Sequence, residues 1–179
     1  MNRKIALFGL STFACVLSMS SCTSVGEHKA SAELYYTNIT KADTEEYRFY
    51  RTVYQLANEE IEFANIISQR GSNASVKSLA TNLSTQYKDV LAKVQELATK
   101  SDVLIPFSAM HSLELPAGLD SAQASILDKE FLKHSLHNQE AILHQFEGAA
   151  RATDVSVRKY AKEALPVLEK SIEETKTLL

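Results

Sequence analysis

Apolar residues recur at steps of three and four along four stretches of the chain. This spacing places them on one face of an α-helix. The first stretch runs from about Thr44 to Gln69 and the second from about Ala74 to Lys100. The third begins near Ser121, and the fourth runs from Thr153 or Asp154 to the C-terminus. The pattern predicts four amphipathic helices that pack their apolar faces against one another.

Capping signals mark several ends of these helices. Those at the helix starts are Asp43 with Glu46, Asn73, and Asp120 with Gln123. Gly71 ends the first helix. Pro166 lies inside the fourth helix, where it removes one backbone hydrogen bond and predicts a kink.

The links between the helices predict how they are connected. The first and third links are short enough to form hairpins only. The middle link, Ser101 to Asp120, reaches about 60 Å when extended, whereas a helix of this size is about 39 Å long. The link can therefore cross the whole bundle, which predicts an all-α, ferritin-like four-helix bundle with a long crossover between helices 2 and 3. An up-down-up-down bundle is the alternative.

The N-terminus has the pattern of an export signal. Arg3 and Lys4 precede the apolar run Ile5–Leu17, which is too short for a permanent membrane span, and small residues lead to Cys22. The arrangement resembles a bacterial lipoprotein signal, although Met19 stands where such signals usually carry leucine. The resemblance implies cleavage before Cys22 and lipid on its thiol. Ordinary secretion with a free Cys22 and a retained signal anchor are the alternatives.

Cleavage at this point divides the chain into a signal peptide (1–21), a tether rich in Ser, Thr and Ala (22–43) and a bundle domain (44–179). Cys15 is then removed, so the mature chain has one cysteine and forms no internal disulfide. The net charge changes from −3 to −5, because the first 21 residues contain two basic residues and no acidic one. An acidic chain without a basic cluster argues against nucleic acid as a partner.

Motifs for catalysis and cofactors are absent from the sequence. There is no His-Glu-x-x-His, paired-cysteine motif, glycine-rich phosphate loop, Glu-x-x-His or Gly-x-Ser-x-Gly. The sequence therefore predicts a protein that is not an enzyme and carries no cofactor.

Short runs on all four helices resemble a family of bacterial secreted proteins and lipoproteins of unknown function, often labelled putative outer-membrane proteins. The runs are Glu60–Ala64, Val76–Ala80, Leu104–Pro106, Phe131–Leu132 with Gln145–Glu147, and Ala164–Leu168. The resemblance covers about Phe49 to Leu179. It implies a ferritin-like fold and an inward-facing metal site of one glutamate and three histidines.

Carried over by position, the glutamate is Glu60, while Tyr87, Gln139 and Ser171 occupy the three histidine positions. All three imidazoles are missing, which weakens the metal prediction. These residues lie on or beside the apolar stripes, so they are expected to form one polar layer across the core. Tyrosine, glutamine and serine can satisfy a buried glutamate through hydrogen bonds. A bound metal or small ligand is the alternative.

A second candidate metal site follows one face of helix 3. His137, Glu140, His144 and Glu147 are spaced by three, four and three residues, which aligns them along the helix. Zinc, copper or nickel could bind there weakly. A solvated row with ion pairs within the helix is the simpler interpretation.

These observations together predict a bacterial envelope protein that faces the periplasm or the exterior. Lipid on Cys22 is expected to hold it on a membrane, and its role is expected to be non-catalytic binding of another envelope component. One alternative is a metal-binding ferritin-like protein with a degenerate or surface site. The other is a carrier of a small apolar ligand within the bundle.

Overall fold

The computed structural model describes residues 41–105, 113, 119 and 123–179. Four α-helices account for most of them: α1 (Thr44–Arg70), α2 (Ala74–Lys100), α3 (Ala124–Ala149) and α4 (Val155–Leu178). The predicted all-α four-helix bundle is confirmed. Within the described part of the chain, no helix is both long enough and apolar enough to cross a membrane.

Side-chain caps fix the starts of three helices. The Asp43 carboxylate accepts a hydrogen bond from the Glu46 backbone N–H at 2.9 Å. Asn73 accepts from the N–H groups of the second and third residues of α2, and Asp154 accepts from those of the second and third residues of α4. These caps satisfy backbone donors that have no partner within the helix. At the other end of α1, the predicted terminator Gly71 is the C-cap.

The start predicted for the third helix was wrong by three residues. α3 begins at Ala124, and Gln123 is the N-cap residue without a side-chain cap of its own. The first buried apolar residue of this helix is Leu127, so a start near Ser121 would add a turn with no stripe residue to hold it. Asp120 and Ser121 lie outside the described residues.

Contacts at the helix ends establish the topology. α1 packs against α2 and α3, and α4 packs against α2 and α3. Ser72, in the turn between α1 and α2, donates to Asp128 near the start of α3. Glu46, near the start of α1, accepts from the backbone N–H of Asp154 at the start of α4. α3 is therefore antiparallel to α1 and parallel to α2.

The parallel arrangement of α2 and α3 requires the link between them to return along the full bundle. The described residues of this link agree, because the Leu113 N–H donates to Glu62 in the middle of α1 at 2.8 Å. The Leu119 carbonyl accepts from Arg70 at the end of α1 at 3.5 Å. The predicted crossover is therefore present, and it connects two antiparallel hairpins as in ferritin-like bundles.

The core is filled by large side chains from all four helices. Phe49 contacts Phe146 edge to face with 5.1 Å between ring centroids, and Phe63 contacts Phe131 at 5.3 Å. Such pairs add about 1 kcal/mol beyond the burial of their area. On α3 the buried face includes the polar residues Ser135 and Asn138, while Leu136 and Leu143 lie at its edge.

Candidate functional site

Glu60 is the centre of a polar cluster in the bundle core. α1 packs on one side against α2 and on the other against α3, so a side chain in the middle of its inner face is removed from water. Glu60 is fully buried and accepts a hydrogen bond from the Ser135 hydroxyl of α3. The Ser135 oxygen in turn accepts from the Gln139 side-chain amide at 2.8 Å.

The same cluster continues into α4 and α2. The Gln139 amide also donates to the Thr175 hydroxyl at 2.8 Å, and Thr175 donates to the backbone carbonyl of Ser171 at 2.9 Å. The Ser171 hydroxyl lies 2.7 Å from the side-chain oxygen of Gln86. We name this set the polar core layer: Glu60, Gln86, Tyr87, Ser135, Gln139, Ser171 and Thr175.

Four buried atoms of the polar core layer have no hydrogen-bond partner among the described residues. Two are acceptors, Glu60 Oε2 and Gln139 Oε1. The Gln86 side-chain nitrogen is a donor, and the Tyr87 hydroxyl can act as either. A buried polar atom without a partner destabilises the fold by roughly 1–3 kcal/mol. Few native buried groups are left in this state, so the layer has unused hydrogen-bonding capacity.

Burial controls the ionisation of the layer. Removal from water raises the pKa of Glu60 to about 7, and the hydrogen bond from Ser135 opposes that shift only in part. Burial also raises the pKa of Tyr87 well above its usual value, and the charge of Glu60 adds to the effect. Tyr87 therefore stays a neutral phenol, and Glu60 exchanges its proton near neutral pH.

The structure places all four sequence-predicted layer residues, Glu60, Tyr87, Gln139 and Ser171, inside the bundle. It joins Glu60 to Gln139 through Ser135, but the Tyr87 hydroxyl donates to no described residue. The sequence analysis missed three members of the layer: Ser135, Thr175 and Gln86. Two of them carried a signal, because Ser135 precedes Gln139 by four residues and Thr175 follows Ser171 by four.

The donor set of the polar core layer does not fit a transition metal. It offers one carboxylate and no imidazole or thiolate, the ligands that zinc and iron prefer. The Ser135 hydroxyl is already engaged between Glu60 and Gln139. Across residues 41–105, 113, 119 and 123–179, no three His, Cys, Asp or Glu side chains lie close enough together to hold a metal ion.

The predicted row on α3, His137, Glu140, His144 and Glu147, lies on the surface. His144 and Glu147 approach within 3.5 Å, and the His144 side chain is 80% exposed. Glu140 lies 3.9 Å from the Lys176 ammonium of α4. These neighbours are those of a solvated helix face with ion pairs.

A groove of about 440 Å³ lies at the end of the bundle where α1 and α4 begin. We name it the end groove. Phe49, Ala149 and Val157 line it and are themselves buried, so they form an apolar floor. Six titratable side chains also line it: three are acidic (Asp43, Glu45 and Glu46) and three are basic (Arg48, His144 and Arg151). A groove with an apolar floor and a charged rim suits a polypeptide segment better than a purely apolar ligand.

Cys22, the predicted lipidation site, lies outside the described residues. Lys41, the first described residue, pairs through its ammonium with Asp102 at 2.7 Å. Its backbone N–H donates to the Ser101 carbonyl at the end of α2. The chain that leads from Cys22 therefore enters the bundle at the same end as the end groove.

Comparison with known families identifies the domain. Residues 31–178 match the model of a family described as "Domain of unknown function (DUF4142)". The match covers most of the chain, so the protein belongs to this family. Neither a curated protein nor a solved structure matches the chain.

Proposed function

We propose that this member of the DUF4142 family is a bacterial envelope lipoprotein that binds a segment of another envelope protein in its end groove. Lipid on Cys22 holds it on the membrane, where it faces the periplasm or the exterior. The observation that carries the proposal is the end groove itself, which combines an apolar floor with an open charged rim. The role is non-catalytic.

Position supports this function. The 19 residues from Cys22 to Thr40 span at most about 65 Å, and they join the bundle at the end that carries the groove. A lipid-anchored domain would hold the groove within that distance of its membrane. Several acyl chains, each stabilised by about 0.8 kcal/mol per buried methylene, are enough for firm anchoring.

The chemistry of the groove indicates the kind of segment it would bind. Phe49, Ala149 and Val157 offer contacts for one apolar side chain. Arg48 already pairs with Glu45 at 3.1 Å, whereas the Arg151 guanidinium has no ion pair among the described residues. Arg151 is thus available for a carboxylate of the partner.

The core packing favours this function over the carrier alternative. Large side chains from the four helices, among them Tyr50, Phe63, Phe131 and Phe146, are essentially inaccessible to solvent. The end groove lies outside this packed core and carries charges on its rim. A carrier of apolar molecules needs the reverse, an apolar space between the helices.

Cys22→Ser tests the anchor. In the native host, we expect the wild-type chain to incorporate radiolabelled palmitate and to sediment with the envelope membranes. The variant should lose the label and move to the soluble fraction, because it lacks the thiol that carries the lipid. Cys15→Ser is the matched control, since Cys15 lies in the segment to be removed. Equal labelling or equal sedimentation of wild type and Cys22→Ser would contradict the lipoprotein proposal.

Photocrosslinking tests the groove. A photoreactive residue placed at Gln145, which lines the groove, should yield a discrete adduct with an envelope protein in living cells. The same residue at Lys170, exposed on α4 away from the groove, is the control for random collisions.

Gly148 provides a matched pair of groove variants. A Cβ at this position meets no atom within 4 Å, so larger side chains extend into open space without disturbing the core. Gly148→Trp should abolish the Gln145 adduct by filling the groove, whereas Gly148→Ala should retain it. An adduct that forms equally from Gln145 and Lys170, or that survives Gly148→Trp, would overturn the groove as the binding site.

A further inference from the structure

Among the residues that the structure describes, no cation lies close enough to Glu60 to stabilise its charge. On α2 the titratable group that senses Glu60 is Tyr87, whose phenol is neutral. On α3 Glu60 faces Ser135 and, through it, Gln139, and neither is titratable. Of the described crossover residues, 101–105, Leu113 and Leu119, only Asp102 is charged, and it pairs with Lys41 at the end of the bundle where α1 begins.

The nearest basic residue along α3 does not change this result. His134, next to Ser135 in the chain, is half-buried. Its ring lies against that of Phe63, with 5.5 Å between the ring centroids. Burial lowers the pKa of His134, so its ring is predominantly neutral at neutral pH. α4 contributes the hydroxyls of Ser171 and Thr175 to the layer.

Hydrogen-bond capacity favours a protonated carboxyl. An ionised Glu60 presents acceptors only. Within the described part of the chain, its one donor is the Ser135 hydroxyl, and neither its second oxygen, Oε2, nor the buried Gln139 Oε1 has a donor. A proton on Glu60 removes the buried charge and turns one of its carboxyl oxygens into a donor.

We propose that Glu60 is a proton-binding site, present where the family resemblance implies a metal site, and that its ionisation loosens the packing of α1 against α3. The layer acts as a pH-responsive element because the packed bundle accepts a neutral carboxyl and disfavours a charged one. The inference is independent of the end groove and of the lipid anchor.

The direction of the pH response follows from the two states of the chain. The pKa of Glu60 is about 7 in the folded protein, against an ordinary value of 4.5. The unfolded chain therefore loses the proton first as the pH rises. The stabilising contribution is complete below pH 4.5 and is lost as the pH rises through 7. Mild acid should strengthen this core, which is the reverse of ordinary acid denaturation.

Glu60→Gln is the decisive variant, because glutamine imitates the neutral carboxyl at every pH. Urea unfolding of the full chain in mild detergent, followed by circular dichroism, gives the ratio of folded to unfolded protein. Relative to wild type, this ratio should rise on the order of 100-fold for Glu60→Gln between pH 4.5 and pH 8. Glu169→Gln, at an exposed position on α4, should show no such rise. The measurements are repeated with a chelator, so that an effect of bound metal is separated from that of the proton.

Direct titration keeps the test decisive if Glu60→Gln does not fold. Carbon-13 NMR of the wild-type glutamate carboxyls should show one group with a midpoint near 7. Amide exchange around Ser135 and Gln139 should accelerate as that group ionises. A constant difference between Glu60→Gln and wild type from pH 4.5 to 8 would overturn the proposal, and so would the absence of a carboxyl that titrates near 7.

Discussion

Two buried carboxylates on neighbouring helices differ sharply in what surrounds them. Asp128, near the start of α3, accepts from the Ser72 hydroxyl at 2.6 Å and from the backbone N–H groups of Ser72 and Asn73 at 3.0 and 2.9 Å. Among the described residues, Glu60, in the middle of α1, accepts from the Ser135 hydroxyl alone. One carboxylate is surrounded by donors that replace water, and the other is not.

A buried carboxylate stabilises a fold when hydrogen-bond donors replace the water that it loses, and the two sites differ in those donors. Two of the three donors to Asp128 are backbone N–H groups just before α2, where the positive end of the helix dipole also favours a negative charge. Glu60 lies beside regular helices whose backbone N–H groups are already used. The Asp128 carboxylate therefore connects the two hairpins, whereas the Glu60 carboxylate weakens the core at neutral pH.

The largest effect is expected for Asp128→Ala, which removes the acceptor of three hydrogen bonds. We expect a loss of about 3 kcal/mol in the free energy of unfolding, because partly buried donors are left unpaired. Urea denaturation followed by circular dichroism measures it. Asp89→Ala, at an exposed position on α2, should change the value by less than about 0.5 kcal/mol. A loss below about 1 kcal/mol would remove the contrast with Glu60.

Gly71→Ala should have a smaller effect on the same contacts. A Cβ at Gly71 would lie 2.6 Å from Asp128 Oδ1 and 2.8 Å from the Ile67 carbonyl oxygen, so either the turn or Asp128 must move. We expect a loss of about 2 kcal/mol by thermal or urea unfolding.

Gly148→Ala is the control for the change from glycine to alanine. Its added methyl group meets open space inside a helix, so it should stabilise the protein by about 0.5–1 kcal/mol. If both variants stabilised the protein, the close approach of Asp128 to the turn would not explain why position 71 holds a glycine.

The smallest effect is expected for Glu60→Gln at pH 4.5. There the wild-type carboxyl is already protonated in the folded protein, so the two unfolding free energies should agree within about 0.5 kcal/mol. A large loss at this pH would indicate that Glu60 resembles Asp128 and stabilises the fold through its charge.

The sequence predicted the helices and their connection well, because those features depend on local and repeated signals. The caps Asp43, Asn73 and Asp154 act within one helical turn, so they are readable without knowledge of the partner helix. The crossover was favoured because the middle link is long enough to cross the bundle, and contacts at the helix ends decide against the up-down-up-down alternative. Among the helix starts, that of α3 differs most from its prediction, because no side-chain cap fixes it.

The candidate site was predictable only in part. Glu60 and Gln139 face inward because helical spacing puts them beside apolar residues, but the contacts between them depend on how α1 and α3 are rotated relative to each other. Ser135 lies between them only because the buried face of α3 is turned away from Leu136. Asp128 was missed for the same reason, since its donors lie about 55 positions away in the sequence.

The crossover also determines where the two ends of the chain emerge. α1 and α4 begin at the same end of the bundle, and α4 then runs about 36 Å to the opposite end at Leu178. In a chain tethered through its N-terminus, the bundle is thus a rigid spacer whose C-terminus is displayed at the far end from the tether. Cargo fused after Leu179 would be presented at a fixed offset from the end groove.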